Sequence, residues 1–300
     1  MKKRLKNAIL LLRKGAVSVV KKKIGVFDSG IGGLSLLLCA ARILPDSEFY
    51  YYADTDNVPY GEKTQDEIVR LSDRAVGFLY GLGADGVVVA CNTATSAAII
   101  DLRRKYENGL GAIPIVGMEP AVKRAIDVCG NGRILAAATP LTVRGAKLRS
   151  LIERYDTRRR TDTIPLPGLV RLAEAGDFES GLDYVRIELE SAGIDLSAYS
   201  ALVLGCTHFN YFKDSFRALL PEEARIIDGC GGTARQLIRR LGLDVQRAYE
   251  KASSGAYCES VDDIMARTRF FASGRELGDL QGRLRMRACL ERLSEMEKIE

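Results

Sequence analysis

The chain reads as two α/β units related by a pseudo-twofold, each with a mainly parallel sheet, and with the active site in the cleft between them. Three observations predict this. Short apolar runs such as GVVV and ALVL alternate with helix-length amphipathic segments, as in a parallel sheet covered on both faces. Two of the runs end in a cysteine, Cys91 in VVVACNTAT (87–95) and Cys206 in ALVLGCTHF (201–209). Each half also begins with a strand that ends in a polar turn, at Asp28 and at Thr139, and the cysteine follows at nearly the same distance along the chain.

Size and composition narrow the function classes. Three hundred residues, 47% of them hydrophobic, are enough for two buried cores. No apolar run approaches the roughly 18–20 residues of a membrane span. The seven cysteines (39, 91, 129, 206, 230, 258 and 289) contain no CxxC pair, which fits a reducing, cytoplasmic setting better than a disulfide scaffold. The net charge of +5 is misleading, because nine Lys or Arg and no acid fall within residues 1–23. Without those nine, 35 basic residues face 39 acidic ones, so the body offers no electrostatic case for nucleic acid. The leader itself, 1–22, reads as a basic extension outside the fold. Its weak helical amphipathicity would suit surface contact with a membrane at most.

Taken in order, KIGVF (23–27) is a strand, and DSGIGG (28–33) is a turn before a helix over 34–43. The glycines permit a tight turn and a close approach of backbone N–H groups. Neither the dinucleotide fingerprint nor a P-loop is present, since Ser35 stands where the third glycine would be and the lysine is missing. A strand at 49–53, a loop ending Pro59-Tyr60-Gly61, a helix over 66–82, the Cys91 strand (86–90), a helix over 94–106 and a strand at 114–116 complete the first run. The second run has a strand at 133–138, a helix to about 155, a charged connection over 156–162 and a strand and turn at 164–168. Helices over 169–175 and 182–192 then lead to the Cys206 strand. Further strands are expected at 225–227, 255–257 and 268–272, with helices over 233–241 and 281–296, the last on the surface.

Each cysteine is expected to open a helix, whose amino-end dipole favours thiolate. Each precedes residues that bind rather than pack, Asn92-Thr93 and Thr207-His208, and His208 is the chain's one histidine. Two opposed thiols suit a two-base proton transfer at carbon. One thiolate removes a proton from one face of a stereocentre, and the other thiol returns one to the opposite face. A cofactor-free site for an amino acid must grip the ammonium and carboxylates rigidly. Asp28 would pair with the ammonium, and Ser29, Asn92, Thr93 and Thr207 with the carboxylates.

Four motifs in order and spacing, FDSGIGG at Phe27, VPYGEK at Val58, ACNTAT at Ala90 and LGCTH at Leu204, resemble those of the glutamate racemases of the aspartate/glutamate racemase superfamily. The resemblance covers about residues 23–274. It implies that Cys91 and Cys206 are the acid/base pair, acting on D- and L-glutamate respectively. It also implies substrate binding by Asp28, Ser29, Tyr60, Gly61, Asn92, Thr93, Thr207 and His208, with Asp28 and His208 as assisting groups. It further implies a homodimer that makes D-glutamate for peptidoglycan and uses neither cofactor nor metal. The family's interleaved domains imply a first domain of 23–117 plus 229–274 and a second of 118–228, followed by a C-terminal surface helix within 275–300.

The chain departs from the family pattern at Phe209-Asn210-Tyr211, at Gly229-Cys230-Gly231-Gly232 and in the turn before Gly168. Taken singly, Asp28 reads as a helix cap and His208 as a structural histidine. Glu119 and Glu174 fall near site loops without a signal of their own, and the remaining cysteines read as packing residues. Three other readings stay open: an aspartate or other amino-acid racemase, a metal site, and a binder that does not turn over.

Overall fold

The computed structural model describes residues 21–253 and 260–299. The first unit runs β1 (Lys23–Asp28), α1 (Leu34–Ile43), β2 (Glu48–Ala53), α2 (Gln65–Gly81), β3 (Gly86–Val89), α3 (Asn92–Tyr106) and β4 (Ile115–Gly117). The second runs α4 (Val122–Val128), β5 (Arg133–Ala138), α5 (Pro140–Arg144), α6 (Ala146–Tyr155), β6 (Thr161–Pro165), α7 (Gly168–Ala175) and α8 (Gly181–Ser191). It ends with β7 (Tyr199–Leu204), α9 (Lys213–Arg217) and β8 (Arg225–Ile227). The remaining elements are α10 (Cys230–Arg240), α11 (Val245–Ser253), α12 (Val261–Ala266), β9 (Thr268–Ala272), β10 (Arg275–Glu276) and α13 (Leu280–Met296).

The two sheets share one topology. The first has the order β10-β9-β2-β1-β3-β4 and the second β6-β5-β7-β8, and every pairing is parallel except β9 with β10. In each, the opening strand lies between the second and third strands. Asp28 and Thr139 end the opening strands β1 and β5, while Cys91 and Cys206 follow the third strands β3 and β7. In both sheets, therefore, the strand order reverses beside a cysteine, where open α/β sheets bind ligands.

Side-chain caps set several helix boundaries. Thr64 and Glu67 form a reciprocal cap on α2, and Ser260 and Asp263 do the same for α12. The α1 sequence LSLLLCAARI is apolar on nearly every side and is buried accordingly, with Leu34, Leu36, Leu37 and Leu38 inaccessible. Its cover comes largely from the end of the chain, since α10, α11 and α13 all pack on it.

Several elements differ from expectation. The helix after Thr139 is interrupted at Gly145, giving α5 and α6. β6 occupies 161–165, so it begins inside the expected charged connection (156–162) and runs only into the start of the strand and turn expected at 164–168. It is an edge strand, so Thr161, Asp162 and Thr163 stay half exposed, and Asp162 accepts hydrogen bonds from Arg133 and Tyr199. The short helices α4, α11 and α12 were not predicted; α4, for example, buries only Val122 and Ala125. Cys206 opens a six-residue 3₁₀ segment, Thr207–Phe212, rather than an α-helix. The expected strand at 255–257, Cys258 and nearly all of the leader lie outside the described residues.

The C-terminal helix is more than a surface element. Its inner face buries Met286, Cys289, Leu290, Leu293 and Met296, the spacing of an amphipathic helix against a core. Arg292 donates to the Tyr211 carbonyl and to Asp214, tying α13 to the Cys206 side of the molecule. Leu290→Ala should therefore lower the unfolding free energy by about 2–5 kcal/mol, the usual range for a buried leucine. Denaturant titration checks this, and a loss below about 0.5 kcal/mol would mean that the helix is peripheral.

Candidate active site

Cys91 and Cys206 face one cavity from opposite units. Its lining also includes Ser29, Tyr60, Gly61, Asn92, Thr93, Thr207 and His208, all expected from the sequence. Thr139, Pro140, Pro167 and Val170 close it from the second unit. Its free volume is about 20 Å³, room for about one water molecule, so the cleft must widen to admit an amino acid.

The glycines of the first turn make the contact between the units close. A Cβ on Gly30 would lie 1.7 Å from Glu174 Oε1, and one on Gly32 would lie 2.4 Å from Thr207 Oγ1 and 2.6 Å from His208 Nδ1. The missing side chains admit the opposite unit, and not only a ligand as the sequence suggested. Tyr51 and Tyr211 fix the turn by donating to the carbonyls of Gly30 and Ile31 at 2.6 and 3.0 Å.

Asp28 is fully buried behind this turn and is not among the lining residues. It accepts hydrogen bonds from Gly30 N–H at 3.0 Å and from the Thr207 hydroxyl at 3.1 Å. Burial lifts its carboxyl to about 6 against the opposing pull of His208, Gly30 and Thr207. Tyr60 lines the cavity, but its hydroxyl donates to Asp54 at 2.7 Å. Asn92 is 5% exposed, and neither end of its amide has a hydrogen-bond partner. A buried amide with no protein partner beside Cys91 is free to contact a ligand in the cavity. A hydroxyl cluster bridges the units, with Thr93 Oγ1 at 3.0 Å from Thr139 and Thr139 donating to Thr142 at 3.0 Å.

The two thiols have different surroundings. Cys91 caps α3, and its sulfur accepts from Ala94 N–H at 3.4 Å. Burial, reinforced by the Asp28 carboxylate, nevertheless pushes its thiol up to about 12, outweighing Ser29 and the Ala94 N–H. The helix terminus alone suggested the opposite direction, since the sequence does not show how dry the site is. Cys206 Sγ lies 3.9 Å from His208 Nδ1, and His208 Nε2 is 2.7 Å from Glu174 Oε1. Burial pulls His208 down, but its bonds to Cys206 and Glu174 outweigh that and hold it well above the usual histidine value. Glu174 goes the other way: burial raises it, and His208, Ile31 N–H and Arg285 bring it below its usual value.

Glu174 and Thr139 are the residues that sequence reasoning left out of the site. Thr139 had a signal, as the counterpart of Asp28 in the repeat. Glu174 had none, because its role depends on where α7 is placed against the Cys206 turn. Glu119 instead pairs with Lys147 at 2.8 Å and does not line the cavity. Cys230 and Cys289 are buried and Cys39 and Cys129 partly buried, none of them at the cavity. Among the described residues, no group of three or more His, Cys, Asp or Glu side chains could hold a metal ion.

Comparison with known proteins gives a consistent result. The family model for Asp/Glu/Hydantoin racemase matches residues 36–257. The chain is 48% identical over 273 residues to the glutamate racemase of Campylobacter curvus, covering 88% of this chain and all of the relative. It is 47% identical over 242 residues to that of Lachnospira eligens, covering 78% of this chain and 89% of the relative. Among solved structures, Escherichia coli glutamate racemase in complex with L-glutamate and the activator UDP-MurNAc-Ala is similar, with a TM-score of 0.69, 27% identity and coverage of 86% of this chain and 100% of that one. The Thermus thermophilus glutamate racemase in complex with β-chloro-D-alanine has a TM-score of 0.62, 33% identity and coverage of 92% and 94%.

The raised Asp28 carboxyl gives a signed pH prediction. Between the unfolded value of 3.8 and the folded value of about 6, the folded state binds the extra proton, so stability falls as pH rises through this window. Above it, the buried charge is a full cost. Asp28→Asn should therefore be more stable than the unaltered protein at pH 8, by about 1–3 kcal/mol, with the gap closing near pH 4. Urea titrations at both pH values decide this, and a variant less stable at pH 8 would contradict it.

Proposed function

The chain belongs to the Asp/Glu/Hydantoin racemase family, and we propose that it interconverts L- and D-glutamate without a cofactor, by proton transfer between Cys91 and Cys206. The observation that carries the mechanism is the placement of these thiols. They end equivalent strands of two matched sheets and face one cavity from opposite sides.

From the L side, the Cys206 thiolate removes the Cα proton and the Cys91 thiol delivers one to the other face; from the D side the roles reverse. Cys91, held as a thiol by burial and by Asp28, is suited to enter as the acid. His208 stays protonated near neutral pH, donating from Nε2 to Glu174 and offering Nδ1–H to the Cys206 sulfur, where negative charge comes and goes. The unpartnered Asn92 amide, the hydroxyls of Ser29 and Thr93, and the N–H groups opening α3 supply donors for the carboxylates. The Thr139 and Thr207 hydroxyls, whose protons go to Thr142 and Asp28, offer acceptor oxygens to the substrate. Asp28 sets the field behind the site and orients Thr207.

The same reading assigns residues 23–117 and 229–274 to one domain and 118–228 to the other. β9 joining the first sheet and β8 the second support this division. It also takes the protein to be a cytoplasmic homodimer that supplies D-glutamate for peptidoglycan.

Incubation with L-glutamate in deuterium oxide should give both deuterium at Cα and loss of optical rotation, while L-aspartate should give neither. Exchange with aspartate alone would move the substrate assignment. Cys91→Ser and Cys206→Ser should each slow racemisation by at least about 10²-fold, the low end for losing an acid/base group. A single variant with full activity would rule out the two-thiol scheme.

A further inference from the structure

The C-terminal helix reaches the site through Arg285. Its Nη2 donates to the Glu174 main-chain carbonyl at 2.8 Å and lies 3.4 Å from Glu174 Oε2. Oε1 is left for Ile31 N–H at 2.8 Å and for His208 Nε2 at 2.7 Å. His208 Nδ1 in turn approaches the Cys206 sulfur. A single line of polar contacts thus runs from α13 to a reacting atom. Among the described residues, Glu174 is the hydrogen-bonding partner of Arg285, whose side chain is 49% exposed. The guanidinium is thus half in solvent, while the Glu174 side chain it holds is only 14% exposed, so the contact acts on a carboxylate that is already largely enclosed.

We propose that Arg285 is a positioning residue for proton transfer: by holding the Glu174 carbonyl and Oε2, it fixes the carboxylate with Oε1 turned to His208, and so sets the donor that Cys206 sees. This rests on the reading of Cys206 as an acid/base residue. The geometry is that of a tether at two points. A glutamate has three side-chain torsions, and restraining one oxygen and the backbone beneath it leaves the other oxygen little freedom. Loss of the tether frees Glu174 to turn away from His208 towards solvent.

The chain's single histidine makes the effect directly readable, because an imidazole NMR titration reports His208 alone. Positioning and simple charge predict opposite signs. Removing a nearby cation through space would raise the histidine midpoint; loosening its carboxylate partner lowers it. The other groups facing Glu174 and His208 are Asp28 from β1, Tyr51 from β2, Cys206 and Tyr211 from the Cys206 segment, and Cys289 from α13. All of them are unchanged in an Arg285 variant.

In the full-length protein, Arg285→Ala should lower the His208 midpoint by about 1 pH unit, the scale of losing a well-placed charged partner. It should reduce kcat about tenfold, a fraction of a full acid/base contribution, while KM stays within about twofold. Arg285→Lys should recover most of both losses, and Arg285→Ala should add nothing in a Glu174→Gln background. If the alanine variant does not fold, Arg285→Gln, which keeps a donor for the carbonyl and no charge for Oε2, carries the same titration. A midpoint that stays or rises, or effects that add in the double variant, would overturn the proposal. The titration needs no turnover, so absence of racemisation by the unaltered protein would defeat the functional reading and still leave the role of Arg285 to be decided.

Discussion

The glycine turn after β1 presses against the Cys206 turn so closely that atoms of Glu174, Thr207 and His208 occupy space where side chains on Gly30 and Gly32 would stand. Much of the site depends on that contact. It brings Ile31 N–H onto Glu174 and the Thr207 hydroxyl onto Asp28, so each unit completes the hydrogen bonding of the other. It also shuts water out, and the dryness then sets the electrostatics. Asp28 is lifted to about 6, Cys91 is held as a thiol, and His208 keeps its proton because Glu174 and Cys206 surround it. A looser interface would leave the same residues nearer their ordinary values.

Dryness has a cost in access. A cavity of about 20 Å³ does not hold a glutamate, so turnover requires the two sheets to separate and reclose. The contacts that must yield are small and polar: the threonine cluster of 93, 139 and 142, and the exposed Arg171–Glu62 pair at 2.6 Å beside the mouth. Contacts of this kind break at modest cost, whereas the core around α1 does not. The C-terminal helix belongs to the second class through Leu290 and Leu293 and reaches the site itself through Arg285. An element at the far end of the chain is thus built into the packing and touches the surroundings of the site.

The fold was largely legible because parallel strands buried on both faces are written as continuous apolar runs. β1, β2, β3, β5 and β7 all fall within a residue or two of their expected positions. Reading failed where burial is partial. β6 is an edge strand with polar outer residues, α4 buries two side chains, and the inner face of α13 is spaced among arginines.

Sequence by itself determined the pair of strand-end cysteines, the polar turns before them and the first unit's main contribution to the cleft lining, because each of these is fixed by its own strand and the turn that follows. Only the tertiary structure decided the rest. Glu174 enters through the packing of α7, Arg285 through the packing of α13, and Thr139 through the approach of the two sheets. The direction of the Cys91 shift was decided there too, since local sequence shows a helix terminus but not the removal of solvent. Proximity between distant segments and exclusion of water are properties of the assembled chain, and no local run of residues encodes either.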